Sequence, residues 1–148
     1  LGYFFGNWIT GSFAQRFGAN RLVLIGTLIN FGGILLSLCI FLAGFGSPLS
    51  FFGLMSFVGL GNGLVIPNAT AGMLSVRPHL AGSASGLGGA IMIGGGAALS
   101  ALAGAMLSKE TGAFPLLYIM LATAIAAVAS ILAVLLRERR LANAVQHR

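Results

Sequence analysis

Aspartate is absent from this chain of 148 residues, and glutamate occurs only as Glu110 and Glu138. Two carboxylates so far apart, each beside basic residues at the edge of an apolar run, cannot serve as an acid/base pair. Histidine occurs twice, at His79 and His147, and cysteine once, at Cys39. These three cannot assemble the ligand set of a metal site, and Cys39 has no partner for a disulfide within the chain. Cys39 sits inside an apolar run and reads as a small packed hydrophobe. Charged residues make up 7% of the chain, against about 25% in ordinary soluble domains. None at all lies between Arg21 and Arg77. The glycine clusters contain no Gly-x-x-x-x-Gly-Lys-Ser/Thr, and no Gly-x-Gly-x-x-Gly follows a strand, so a nucleotide site is excluded. The expectation is a protein with no enzymatic activity, no cofactor and no metal.

Apolar residues fill that space. They make up 57% of the chain, which also has 23 glycines, and this composition places it among all-α polytopic membrane proteins. The net charge of +6 does not form a patch for nucleic acid. The basic residues fall in the gaps between apolar runs, where membrane topology puts them. The chain starts at Leu1 with an apolar run too short to span alone and without the features of a signal peptide. It therefore reads as the C-terminal fragment of a longer protein.

The runs divide residues 1–136 into helices at approximately 1–14, 22–43, 51–75, 81–107 and 113–136, followed by a polar tail at 137–148. In the first, Tyr3, Asn7 and Thr10 share a face, and Gly2 and Gly6 form a small-xxx-small pair that admits a close neighbour. Residues 11–21 read as a polar loop, with Gly18 free to take the positive φ of a tight turn. In the second, Gly26, Asn30, Gly33 and Ser37 fall in one sector. Asn30 suits either a hydrogen bond to another helix or a cavity wall. Residues 44–50 read as an uncharged turn.

In the third run Gly59, Gly61, Gly63 and Pro67 weaken the helix, because proline removes a backbone donor and crowds the preceding turn. Asn62, Pro67 and Thr70 lie toward one side, while Asn68 points elsewhere. A weakened helix with polar groups at mid-depth suits a transport pathway, and equally a kink that serves packing. The substrate-cavity candidates are Tyr3, Asn7, Asn30, Asn62, Pro67 and Thr70. Arg77-Pro78-His79 forms the next turn, with His79 at the interface. The fourth run is amphipathic by size: Gly82, Ser85, Gly86 and Gly89 begin a small-residue face expected to pack against another helix backbone. Phe114 and Tyr118 are the outer interfacial anchors of the fifth.

Seven of the eight Lys and Arg residues lie in the loop at Arg16/Arg21, the turn at Arg77 and the tail; only Lys109 falls on the other side. The positive-inside rule then puts the C-terminus in the cytoplasm.

Two stretches carry a family resemblance. Gly11-x-x-x-Gln15-Arg16-x-Gly18-x-x-Arg21 resembles the cytoplasmic loop motif of the major facilitator superfamily, with Gln15 in place of an aspartate. Gly61-Asn-Gly63, Pro67-Asn-Ala69 and Pro78-x-x-Ala-Gly82-x-Ala-Ser85-Gly86 resemble the tenth and eleventh helices of its Bcr/CflA drug-resistance branch. The resemblance implies the last five helices, the first truncated, of a twelve-helix fold in a bacterial inner membrane. It also implies proton-coupled efflux of drug-like small molecules by alternating access. The partners would then be the small-molecule substrate, protons, the lipid bilayer and the missing N-terminal half. With no carboxylate inside a span, the coupling proton is expected outside this fragment. A carrier of another cargo (a sugar, amino acid or metabolite) and a non-transporting scaffold subunit are the competing readings.

Overall fold

Charge and helix do not end at the same residue in this chain. A computed structural model describes residues 1–108 and 111–146. Its elements are α1 (Gly2–Phe17), α2 (Ala19–Leu42), α3 (Pro48–Ser75), a 3-10 turn at Pro78–Leu80, α4 (Ala81–Met106) and α5 (Phe114–Gln146). The loop expected at 11–21 is therefore almost entirely helix. Only Gly18 interrupts it, with the positive φ of 80° expected of it. The tail expected at 137–148 is likewise helical as far as Gln146. In both places a run of helix-forming polar residues carries the helix on after the apolar run has stopped. The turn at 44–50 is shorter too. Pro48 is the first residue of α3, capped by Ser47 and Ser50 in a reciprocal capping box, because proline suits a position whose N–H would be unpaired anyway. Lys109 and Glu110, expected to cancel in the outer loop, and His147 and Arg148 of the tail lie outside the described residues.

Among the described residues, four segments are long and apolar enough to cross a bilayer: Ala19–Leu42, Pro48–Ser75, Pro78–Met106 and Phe114–Ala144. The chain is thus a multi-pass membrane protein by length and composition. α1 has only 16 residues.

Glycine sets the packing. Cβ atoms added at Gly2 and Gly6 of α1 would run into the α3 backbone at Ser56, Leu60 and Gly63, and one added at Gly59 would come within 3.2 Å of the Tyr3 amide. The Gly2/Gly6 pair thus admits the close neighbour its spacing announces. On the opposite side of α3, a Cβ at Gly61 would meet the Gly26 carbonyl of α2 at 2.5 Å, and one at Gly33 would meet Phe57 at 3.1 Å. Glycines two apart lie about 200° apart on a helix. Gly59 and Gly63 therefore serve α1, Gly61 serves α2, and α3 is held between them. The register makes α1 parallel to α3 and α2 antiparallel to it.

α5 lies antiparallel along α2 and is pinned at both ends. At one end the Phe41 ring is edge-on to Phe114 at 6.2 Å and to Phe51 at 6.1 Å, with Phe114 stacked on Tyr118. At the other end Asn20 Nδ2 donates to Glu138 Oε1 at 2.5 Å. Cys39 is exposed on α2, not packed inside. An apolar side chain facing lipid needs no protein partner, so burial could not be read from apolarity alone.

α4 has almost no partner. Ala103 is its one buried residue, and Cβ atoms added at Gly82, Gly86, Gly89, Gly96 or Gly104 would meet nothing. The face expected to pack against a helix finds none among the described residues. Gly88 alone comes close, to the sulfur of Met73.

Candidate functional site

Pro67 cannot donate to the carbonyl four residues before it, that of Gly63. A bare carbonyl at mid-depth in a membrane must find another donor, and α1 supplies one. Thr10 Oγ1, buried against α3, donates to the Gly63 oxygen at 3.1 Å. Asn68 Nδ2 donates to the Leu64 oxygen at 2.7 Å and to Thr10 Oγ1 at 3.3 Å. Thr10 and Asn68 are among the few buried polar side chains, at 9% and 4% exposure. A proline defect in one helix is thus repaired by a neighbour, and Asn68 closes the network.

Asn30 and Asn62 form a second polar bridge, with Asn30 Nδ2 donating to Asn62 Oδ1 at 2.9 Å. Asn30 Oδ1 turns toward Gly61 and has no hydrogen-bond partner among the described residues. The bare backbone at Gly61 is what admits the Asn30 amide, since a Cβ there would overlap its oxygen.

The six cavity candidates are not brought together. Asn30 and Asn62 bond to each other across α2 and α3. Asn7 is half-buried and donates to the Tyr3 carbonyl at 2.9 Å within α1. Pro67 is half-buried, while Tyr3 and Thr70 are exposed. Four of the six are thus half-buried, and Tyr3 and Thr70 remain on the surface. Of the loop motif, Gly11 and Arg16 lie exposed on α1, Gly18 forms the break, and Arg21 stands in the first turn of α2. Gly82, Ser85, Gly86 and Gly89 lie along the open side of α4.

Sequence reasoning missed two features of the structure. The Thr10–Gly63–Asn68 network was signalled by Pro67 itself, because counting back four residues names the orphaned carbonyl. Only the identity of the donor requires the fold. The second is a cleft of about 1000 Å³ between α2, α3 and α5, lined by Arg21, Thr27, Asn68, Gly72, Ser130, Arg139 and their neighbours. No cavity candidate lines it. Comparison with protein-family models, curated proteins and solved structures finds no match to the chain.

Proposed function

We propose that this chain is the C-terminal part of a major facilitator carrier of the Bcr/CflA type. It would sit in a bacterial inner membrane with its C-terminus in the cytoplasm and export drug-like small molecules in exchange for protons. The observation that carries the reading is α4. A long apolar helix with an uncovered glycine face, beside a helix that carries an internal proline, is a surface prepared for further helices at backbone distance. In such a carrier two halves rock against each other around a central site, and bare backbone allows helices to slide at close range. Tyr3 and Thr70, which stay exposed, are available to cargo; Asn30 and Asn62 are held in the bundle. The coupling proton is assigned to the N-terminal half.

The Asn30–Asn62 and Thr10–Gly63 bonds favour a second reading, a permanent membrane scaffold, because they fix helices in place. Drug export by the full-length protein carrying Gly86→Leu or Gly89→Leu separates the two. The carrier reading expects export from everted vesicles to be lost while membrane insertion is normal. Undiminished export by Gly86→Leu would refute it. Drug sensitivity of a strain lacking the protein distinguishes drug cargo from a metabolite.

A further inference from the structure

The cleft between α2, α3 and α5 has the depth, wall chemistry and charge of a lipid site. Along α5 its lining runs from Ala127 to Arg139, and along α3 from Val65 to Ser75. The intervals are twelve and ten steps, or about 18 and about 15 Å of helix. Half the hydrocarbon thickness of a bilayer is about 15 Å. The cleft is therefore about one leaflet deep.

Its mouth lies where a headgroup would be. Arg21 opens α2, Arg139 lies just past the apolar run of α5, and the Asn20–Glu138 hydrogen bond holds these two helix ends together. Two guanidinium groups and one carboxylate line the mouth, which leaves it positive. The Glu138 carboxylate is engaged by Asn20.

The walls below the mouth offer little to a polar ligand. Thr27 Oγ1 donates to the Leu24 carbonyl at 2.9 Å, and Ser130 Oγ to that of Ala126 at 2.7 Å. Asn68 is engaged by Leu64 and Thr10. With those donors used inside the protein, Met73, Val134 and Leu135 dominate what a ligand would meet. A positive mouth over an apolar trough one leaflet deep matches an anionic head with an acyl chain. Basic pockets between membrane helices on the cytoplasmic side hold such lipids.

We propose that this cleft binds one anionic phospholipid of the leaflet on the arginine side. Its phosphate sits between Arg21 and Arg139, and one acyl chain lies along Gly72 and Ile131. The site is independent of the transport reading, because no cavity candidate lines it and its depth stops at mid-membrane.

The intact protein, reconstituted in mixed phosphatidylglycerol and phosphatidylcholine nanodiscs and released for native mass spectrometry, tests this. Wild type should retain one phosphatidylglycerol in preference to phosphatidylcholine. Arg21→Gln/Arg139→Gln should lower that retention about thirtyfold, from the contribution of each of the two basic residues near an anionic headgroup. Arg21→Lys/Arg139→Lys should restore most of it. Arg140→Gln, which removes an arginine outside the cleft, should leave retention unchanged. Gly72→Phe fills the trough at a position where an added side chain meets nothing, and it should expel lipid of either headgroup while the protein stays monodisperse. Retention unaffected by the double Gln variant or by Gly72→Phe would overturn the proposal. An equal loss from Arg140→Gln would do the same, since it would reduce the effect to general surface charge.

Discussion

Replacing Thr10 by valine keeps the shape of the side chain and removes the one donor that reaches the Gly63 carbonyl from α1. Hydrogen bonds between membrane helices contribute about 0.6 kcal/mol on average and about 1.7 kcal/mol at most. Here the lost bond also leaves a buried acceptor bare, which costs about 1–3 kcal/mol in its own right. Thr10→Val should therefore destabilise the bundle by about 1.5 kcal/mol. Asn68 keeps its 2.7 Å bond to Leu64, so its share of the loss is small. The causal claim is that Pro67 creates the need for Thr10, and a double-mutant cycle isolates it. Pro67→Ala returns a backbone N–H to Gly63, so Thr10→Val in that background should cost only about 0.5 kcal/mol, a coupling of about 1 kcal/mol. Any effect of Pro67→Ala alone drops out of the cycle. The assay is unfolding in mixed micelles titrated with dodecyl sulfate. The chain's single tryptophan, Trp8, lies on α1, so its fluorescence follows α1 leaving α3. Equal penalties in the two backgrounds, within about 0.3 kcal/mol, would refute the repair of one helix by the other.

Glycine should matter by position and not by count. Gly61→Ala forces a Cβ onto Asn30 Oδ1 and the Gly26 carbonyl, and should destabilise by about 1–3 kcal/mol in the same titration. Gly86→Ala, in open space, should change stability by less than about 0.5 kcal/mol; equal effects would sink the packing scheme. Asn30→Leu should cost about 1 kcal/mol, because it strands Asn62, whereas Asn30→Leu/Asn62→Leu together should be milder than the single change. A double variant worse than the single would show that the pair does more than satisfy itself. For orientation, cysteines placed at Ser47 and Thr111 in a Cys39→Ala background should react with an impermeant reagent in intact cells, and protection of both would reverse the topology.

The fold was legible where a local rule acts on its own. The Gly2/Gly6 spacing announced a close neighbour, Gly18 announced a positive φ, and the charge-free interval from Arg21 to Arg77 announced spanning helices. Helix ends were misplaced for one recurrent reason. The end of an apolar run marks where lipid stops, but Ser12, Gln15 and Arg16 at one place, and Arg137, Glu138 and Leu141 at another, sustain a helix in water. Pro48 was misplaced because proline marks a turn and a first helical position equally well. The site was legible only in part. Asn30 and Asn62 stood out as polar groups in apolar runs, yet whether they face cargo or each other depends on how α2 and α3 register. The cleft was invisible because its mouth joins Asn20 to Glu138 across 118 residues, and no spacing rule reaches that far.

The hydroxyl of Thr10 precedes the carbonyl it serves by 53 residues, and that sequence order sets an order of assembly. During synthesis α1 leaves the ribosome before α3, so the donor is already in the bilayer when the proline-interrupted helix arrives. A helix with an unpaired mid-depth carbonyl is a poor candidate to wait alone in lipid. Because the repairing group is made first, α3 can dock on its partner as it enters. Parallel docking of α3 on α1 then turns the opposite glycine, Gly61, toward α2, which is also made before α3. Both helices that hold α3 are thus made before it.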